Sequence, residues 1–220
     1  MDQLYKYPRT PHLPWSRSKT EDDKVLDNVD HFVGKKVVCS SKLDGESTSL
    51  YPDHIHARSV DSKHHPSRSW VKNLWQTIRH DIPRGWRICG ENMYAKHSIA
   101  YSALPSYFLV YAIFNEANVC LSWEGLKMWC ELLDLTHVPV LHEGIWDEEA
   151  VKACMTGVSK YGGEQEGYVV RLASAFYYSE FRSSVAKFVR ANHVQTDDFW
   201  MNKPVVKNLL AEKKNEKENH

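Results

Sequence analysis

Apolar and polar positions along the chain fall into many short strand-like runs and a few helical ones. Residues 35–40 (Lys-Lys-Val-Val-Cys-Ser) read as a strand entering a turn at Lys42, and residues 48–51 and 54–59 read as a hairpin punctuated by Pro52-Asp53. Between 67 and 80, Trp70, Val71, Leu74, Trp75 and Ile78 recur at helical spacing, and the pattern stops before Pro83. Residues 86–91 predict a short strand. Residues 107–114 predict a buried one, because the run is continuously apolar and aromatic. A turn at 115–118 leads to 119–121, and Ser122 is suited to cap a helix through Leu135 with Glu124 in its first turn. Then come a strand at 138–141, a helix over 147–155 opened by acidic residues, and strands at 168–172 and 185–189.

This alternation is mixed rather than strictly βαβ, so it predicts an α+β fold of antiparallel or mixed sheets with flanking helices. Pro8, Pro11 and Pro14 keep the first twenty residues extended. From Lys207 the chain becomes charged and low in complexity, which predicts a frayed helical tail. The expected organisation is a leader and domain start over 1–34, one domain over 35–200, and a charged tail over 201–220.

Composition narrows the class. Of 220 residues, 42% are hydrophobic and 25% charged, the range of a soluble protein with one substantial core. There is no apolar run of transmembrane length and no secretory n-region, so no membrane partner is expected and a cytoplasmic location is. The five cysteines, Cys39, Cys89, Cys120, Cys130 and Cys154, contain no Cys-x-x-Cys pair and are odd in number, which fits buried thiols in a reducing compartment. Net charge is zero, yet Arg58 to Lys96 carries eight basic residues against three acids, interleaved with Trp70, Trp75 and Trp86. Such a stretch suits a phosphate backbone with stacked bases, or equally a solvated helix whose tryptophans face the core.

The candidate chemistry lies in an ordered set of short motifs: Lys42-Leu43-Asp44-Gly45, Ala57-Arg58-Ser59, Gly90-Glu91-Asn92, Glu166-Gly167 and Ala186-Lys187-Phe188. A free lysine titrates near 10.4, so only about one in 2,500 is neutral at pH 7, and a nucleophilic Lys42 needs burial or neighbouring cations to lose its proton. Gly45 would let the backbone pass close to a nucleotide. Glu91 and Glu166, each beside a glycine at a strand edge, could accept ribose hydroxyls or hold a hard divalent cation. Lys187 is a charge within an apolar strand, and a phosphate would account for it. Each has an ordinary explanation alone: an exposed lysine before a turn, a surface glutamate, an edge-strand lysine. The His54/His56 and His64-His65 pairs lack the spacing of a zinc site, and neither a P-loop nor a dinucleotide fingerprint occurs.

Taken in order, these motifs resemble those of the covalent nucleotidyltransferases, and among them the ATP-dependent RNA ligases most, over about residues 35–190. The resemblance implies a nucleotidyltransferase (adenylation) domain in which Lys42 attacks the α-phosphate of ATP to give a lysyl-adenylate. Arg58 would orient Lys42 and bind the 5′-phosphate strand, and Glu91 would hold the ribose. Tyr111, in the strand resembling the adenine-stacking one, would stack on the base, while Ser41 and Leu43 meet it through their backbones. Glu166 would contact the lysine or a metal, and Lys187 the α-phosphate. The implied cofactors are ATP and Mg2+ (or Mn2+). The implied partner is RNA with 5′-phosphate and 3′-hydroxyl ends, in duplex or nicked form as well, acted on by a monomer. The residues after Lys187 are too few for an appended oligonucleotide-binding (OB) barrel, so no OB-fold appendage is expected, and a compact ligase of this kind would suit a virus. A small DNA ligase, a guanylyltransferase and a non-catalytic nucleic-acid-binding module with the same fold are the alternatives.

Overall fold

Two β-sheets carry the fold, and the chain crosses from one to the other at Lys42–Gly45. The computed structural model describes residues 3–18, 23–191 and 204–212. In one sheet, β1 (Lys36–Lys42), β8 (Val140–Ile145), β9 (Gly167–Leu172) and β11 (Val185–Val189) lie in the order β11-β9-β1-β8, each neighbour antiparallel. The other contains β2 (Glu46–Leu50), β3 (Ile55–Ala57), β4 (Arg87–Asn92), β5 (Phe108–Phe114), β6 (Val119–Cys120) and β10 (Phe176–Tyr177) in the order β10-β6-β5-β4-β2-β3. A two-residue strand, β7 (Thr136–His137), pairs parallel with β5. The helices are α1 (Ser69–Ile78), α2 (Trp123–Leu132) and α3 (Glu148–Ala153). This is the expected α+β arrangement, and among the described residues no helix is long and apolar enough to cross a membrane.

β1 is apolar on both faces because it lies between two cores. Val38 packs with α1, β5 and α2, whereas Val37 and Cys39 pack with Leu13, Phe32, Tyr168 and Val151. A strand buried on both faces cannot alternate with polar residues, and that is why 35–40 reads as a strand by composition rather than by period. The Ser122 cap forms as anticipated, its Oγ accepting from the Gly125 amide at 3.2 Å. All three tryptophans of the basic stretch have protein partners. Trp75 is buried and donates to the Tyr51 carbonyl at 2.6 Å, Trp70 meets Tyr107 edge-on at 5.3 Å, and Trp86 packs on Trp129 at 4.9 Å. The core-facing reading of that stretch is the one these contacts favour.

Three expectations change. The strand anticipated at 138–141 begins at Val140 and runs on to Ile145, where pairing with β1 extends it through polar residues. The leader is extended, but it also builds the sheet edge: the Leu13 amide donates to the Lys187 carbonyl at 2.8 Å and the Lys187 amide to the Pro11 carbonyl at 2.9 Å. The tail is not helical where it is described. Residues 204–212 run extended, Lys207 bridging to Ala95 and Leu210 to Leu104. The fully buried Asn208 side chain holds the tail there, donating to the Met93 carbonyl at 2.8 Å and accepting from the Tyr101 amide at 2.9 Å. Residues 201–203 and 213–220 of the expected tail lie outside the described residues.

Two glycines in the motifs owe their identity to neighbouring backbone. A Cβ at Gly45 would sit 2.7 Å from the Asn92 carbonyl oxygen, so what passes close to this turn is the chain's own β4. A Cβ at Gly167 would lie 1.9 Å from the Phe188 carbonyl oxygen in the paired β11. Backbone in a ladder cannot swing aside as a side chain does, so Gly167→Ala is expected to destabilise the protein by about 2–3 kcal/mol. A melting temperature unchanged from wild type would contradict that close approach.

Candidate active site

The crossover places the motifs around one cavity of about 700 Å3, between the end of β1 and the facing strands. Ser41, Lys42, Leu43, Arg58, Glu91, Tyr111, Glu166 and Lys187 all line it. Strand register explains the convergence. Lys42 pairs with Gly167, next to Glu166; Lys187 pairs with Val169; and Glu91 pairs with Ser47, two residues past Gly45.

Hydrogen bonds fix the lysine's turn from three sides. The Glu91 carboxylate accepts from the Gly45 amide at 3.2 Å. Asp44 Oδ2 accepts from the Ser98 amide at 2.8 Å, the Ser98 hydroxyl at 2.6 Å and the Ile99 amide at 2.8 Å, and the Asp44 amide donates to the Tyr101 hydroxyl at 3.0 Å. Lys42 Nζ donates to the buried Glu166 carboxylate. The Ser41 amide is already bound to the Pro139 carbonyl at 2.9 Å, so only other atoms of Ser41 could meet a base. The Tyr111 hydroxyl lies 2.6 Å from Ser47 Oγ, and its ring packs edge-on against Tyr7 of the leader, centroids 4.8 Å apart.

The electrostatics differ from the expectation for Lys42. Burial disfavours its ammonium, but the carboxylates of Glu166 and Glu91, together with the hydrogen bond to Glu166, more than offset that, and the pKa is raised. Carboxylates rather than cations dominate around this lysine. The lysine that is depressed is Lys187, brought down to about 8 by burial and by repulsion from Lys42, against the attraction of Asp23 and Glu166. Glu91 is pushed up to about 8 by burial, with Lys42 opposing and Glu166 and Asp44 adding to the rise.

The raised Glu91 pKa has a testable sign. The folded protein binds this proton more tightly than the unfolded chain, so the contribution to stability is full below about 4.5 and is lost as pH rises through about 8. Glu91→Gln keeps an acceptor for the Gly45 amide without the buried charge. We expect its melting temperature to exceed that of wild type at pH 9 and to match it near pH 4. A variant less stable than wild type at both would mean that Glu91 stabilises as an anion.

Several lining residues escaped the sequence reading. Arg171 follows Val169 on the same face of β9, so the period of two would have found it; it is buried and donates to the Leu121 carbonyl at 2.6 Å. Arg68 forks onto Glu46, its Nε 2.7 Å from Oε2, a pairing between α1's approach and β2 that no local pattern announces. Tyr7 and Arg9 from the leader, and Val205 and Val206 from the tail, close other parts of the wall.

A sequence model described as RNA ligase matches residues 35–189. The chain belongs to the RNA ligase family. Among solved structures it is similar in fold to a Naegleria gruberi RNA ligase, an aspartate-to-alanine mutant without ligand, with a TM-score of 0.54 and 17% identity over 84% of this chain and 61% of that one. A lysine-to-alanine mutant of the same ligase, with ATP and Mn, gives 0.53 and 15% over 86% and 61%. A putative ATP-dependent DNA ligase from Aquifex aeolicus gives 0.55 and 19% over 84% and 50%. At these identities the likeness is one of fold. The chain spans about three fifths of the Naegleria ligase chains and half of the Aquifex one. Curated proteins yield no sequence match.

Proposed function

We propose that this RNA ligase family member is an ATP-dependent RNA ligase that works through a lysyl-adenylate on Lys42. The observation that carries the reading is the convergence of Lys42, Arg58, Glu91, Glu166 and Lys187 on one cavity large enough for a nucleotide. The Naegleria ligase bound to ATP and Mn supports the choice of nucleotide.

In the first step Lys42 Nζ, once deprotonated, forms a P–N bond to the α-phosphorus. The bond to the bridging oxygen breaks, and the electron pair leaves with pyrophosphate. Glu166, hydrogen-bonded to Nζ, is the group positioned to take the proton. Lys187 and Arg58 face the phosphates, Glu91 the ribose hydroxyls and Tyr111 the base. Next, an oxygen of the RNA 5′-phosphate attacks the same phosphorus, the P–N bond breaks and Lys42 regains a proton, leaving an AMP-capped 5′ end. The 3′-hydroxyl then attacks the capped phosphate and expels AMP. Most of the rate enhancement comes from holding these groups in line and stabilising charge on phosphorus.

The residues fit a divalent cation only in company. Among the described residues no three metal-ligating side chains converge, so Glu166 would be its protein ligand, with phosphate and water oxygens completing the set. Magnesium or manganese held there would neutralise charge on the leaving pyrophosphate.

Sealing is the test. A nicked duplex with a 5′-phosphate and 3′-hydroxyl is supplied with RNA or DNA strands at the break, with ATP and magnesium. We expect joining with RNA at the nick, together with a minor AMP-capped species. Joining of all-DNA nicks alone would assign the DNA ligase alternative, and RNA binding without any capped or joined product would assign the binding module.

A further inference from the structure

The leader brings a carboxylate that no motif foretells against Lys187, one of the residues lining the cavity. Asp23 Oδ1 lies 3.9 Å from Lys187 Nζ, and its other oxygen lies 3.5 Å from Nε2 of His12. His12 is fully buried, and its Nδ1 lies 2.7 Å from the hydroxyl of Ser16. The backbone locks this arrangement to the phosphate-facing strand. The His12 amide donates to the Lys24 carbonyl at 2.7 Å, the Leu26 amide to the His12 carbonyl at 2.8 Å, and Ser16 Oγ accepts from the Val189 amide at 3.0 Å. Asp23 is therefore held against β11 by a ribbon of leader rather than by chance surface contact. The other charged groups acting on Lys187 are Lys42 from β1, Glu166 before β9 and Arg58 after β3, two of them repulsive.

We propose that Asp23, braced by His12, is a positioning residue for nucleotide binding: it holds the Lys187 ammonium charged and aimed into the cavity until a phosphate takes it. A buried lysine beside Lys42 and Arg58 would otherwise lose charge or swing away, and the nucleotide would find one cation fewer. This inference rests on ATP being the ligand of the cavity, as proposed above.

The experiment measures nucleotide affinity in the presence of magnesium by calorimetric titration. Lys42 is kept in every variant, and the titrant is the ATP analogue with a methylene bridge between the α- and β-phosphates, which binds without releasing pyrophosphate. Asp23→Asn is expected to weaken its binding by about fivefold or more, the low end for coupled groups. Asp23→Glu, which keeps the charge, is expected to recover most of it. In the Lys187→Met background the Asp23→Asn effect should vanish, because Asp23 acts through that lysine. A purely structural role would leave the Asp23→Asn loss intact in that background, and that result would overturn the proposal, as would unchanged affinity in Asp23→Asn alone. Absence of analogue binding to the wild-type protein would instead overturn the nucleotide reading and this inference with it.

Discussion

Replacing Lys42 by alanine should abolish covalent labelling by ATP while the protein stays folded. Among the described residues Lys187 is the other strand lysine lining the cavity, and we do not expect it to take over as nucleophile. Lys187 sits on the far side of β9 in register with Val169, and its role needs the charge that a nucleophile must lose. The cost in stability is expected to be small, because deleting Lys42 also relieves the repulsion it exerts on Lys187. The buried Glu166 carboxylate left behind still acts on the Lys187 ammonium, so it is not left without a cation. We therefore expect loss of labelling to background with a melting temperature within a few degrees of wild type at pH 7. A labelled alanine variant would remove Lys42 from the nucleophile's role.

The second large effect is at Glu166. If its carboxylate only trapped the Lys42 ammonium, Glu166→Gln would lower the Lys42 pKa and speed the first step. If it accepts the proton and helps to hold the metal, the same change slows that step by about 10²–10⁴, the usual reach of a positioned acid–base group. We expect the slow outcome, with a signature in pH. The raised Lys42 pKa makes the wild-type rate climb as pH rises toward the alkaline range, since only the neutral amine reacts. In Glu166→Gln the ceiling falls, but the climb moves to lower pH because the carboxylate that raises the lysine is gone. Single-turnover rates of adenylation between pH 6 and 9 read both features. A faster variant at pH 7 would reduce Glu166 to a counter-ion.

Much of this architecture was legible because the relevant signals are local. A lysine before Asp-Gly, a continuous apolar run at 108–114 and an acid beside a crowded glycine each state their structure within a few residues. The reasons behind them were less accessible. Gly45 is crowded by the Asn92 carbonyl of β4, a contact 47 positions away in the chain, so this reason for a glycine there is not visible in the local sequence. A nucleophilic Lys42 needs burial or neighbouring cations to lose its proton, but its ionisation depends on Glu91 and Glu166, whose distances no spacing encodes. The Asp23–His12 brace and the Asn208 anchor were invisible for the same reason. An isolated aspartate, histidine or asparagine in an irregular segment carries no periodicity, and its partners are chosen by the tertiary fold. Arg171 is different, for its place two residues beyond Val169 on a strand made it readable.

Covalent adenylation of Lys42 is the event on which the proposed function depends. Its most direct test is incubation of the wild-type protein with α-labelled ATP and magnesium, followed by denaturing electrophoresis and peptide mapping. We expect one labelled band, released by acid, with the adenylyl group on the peptide containing Lys42. Unlabelled protein beside intact ATP, with any AMP carried over from expression first removed, would contradict it.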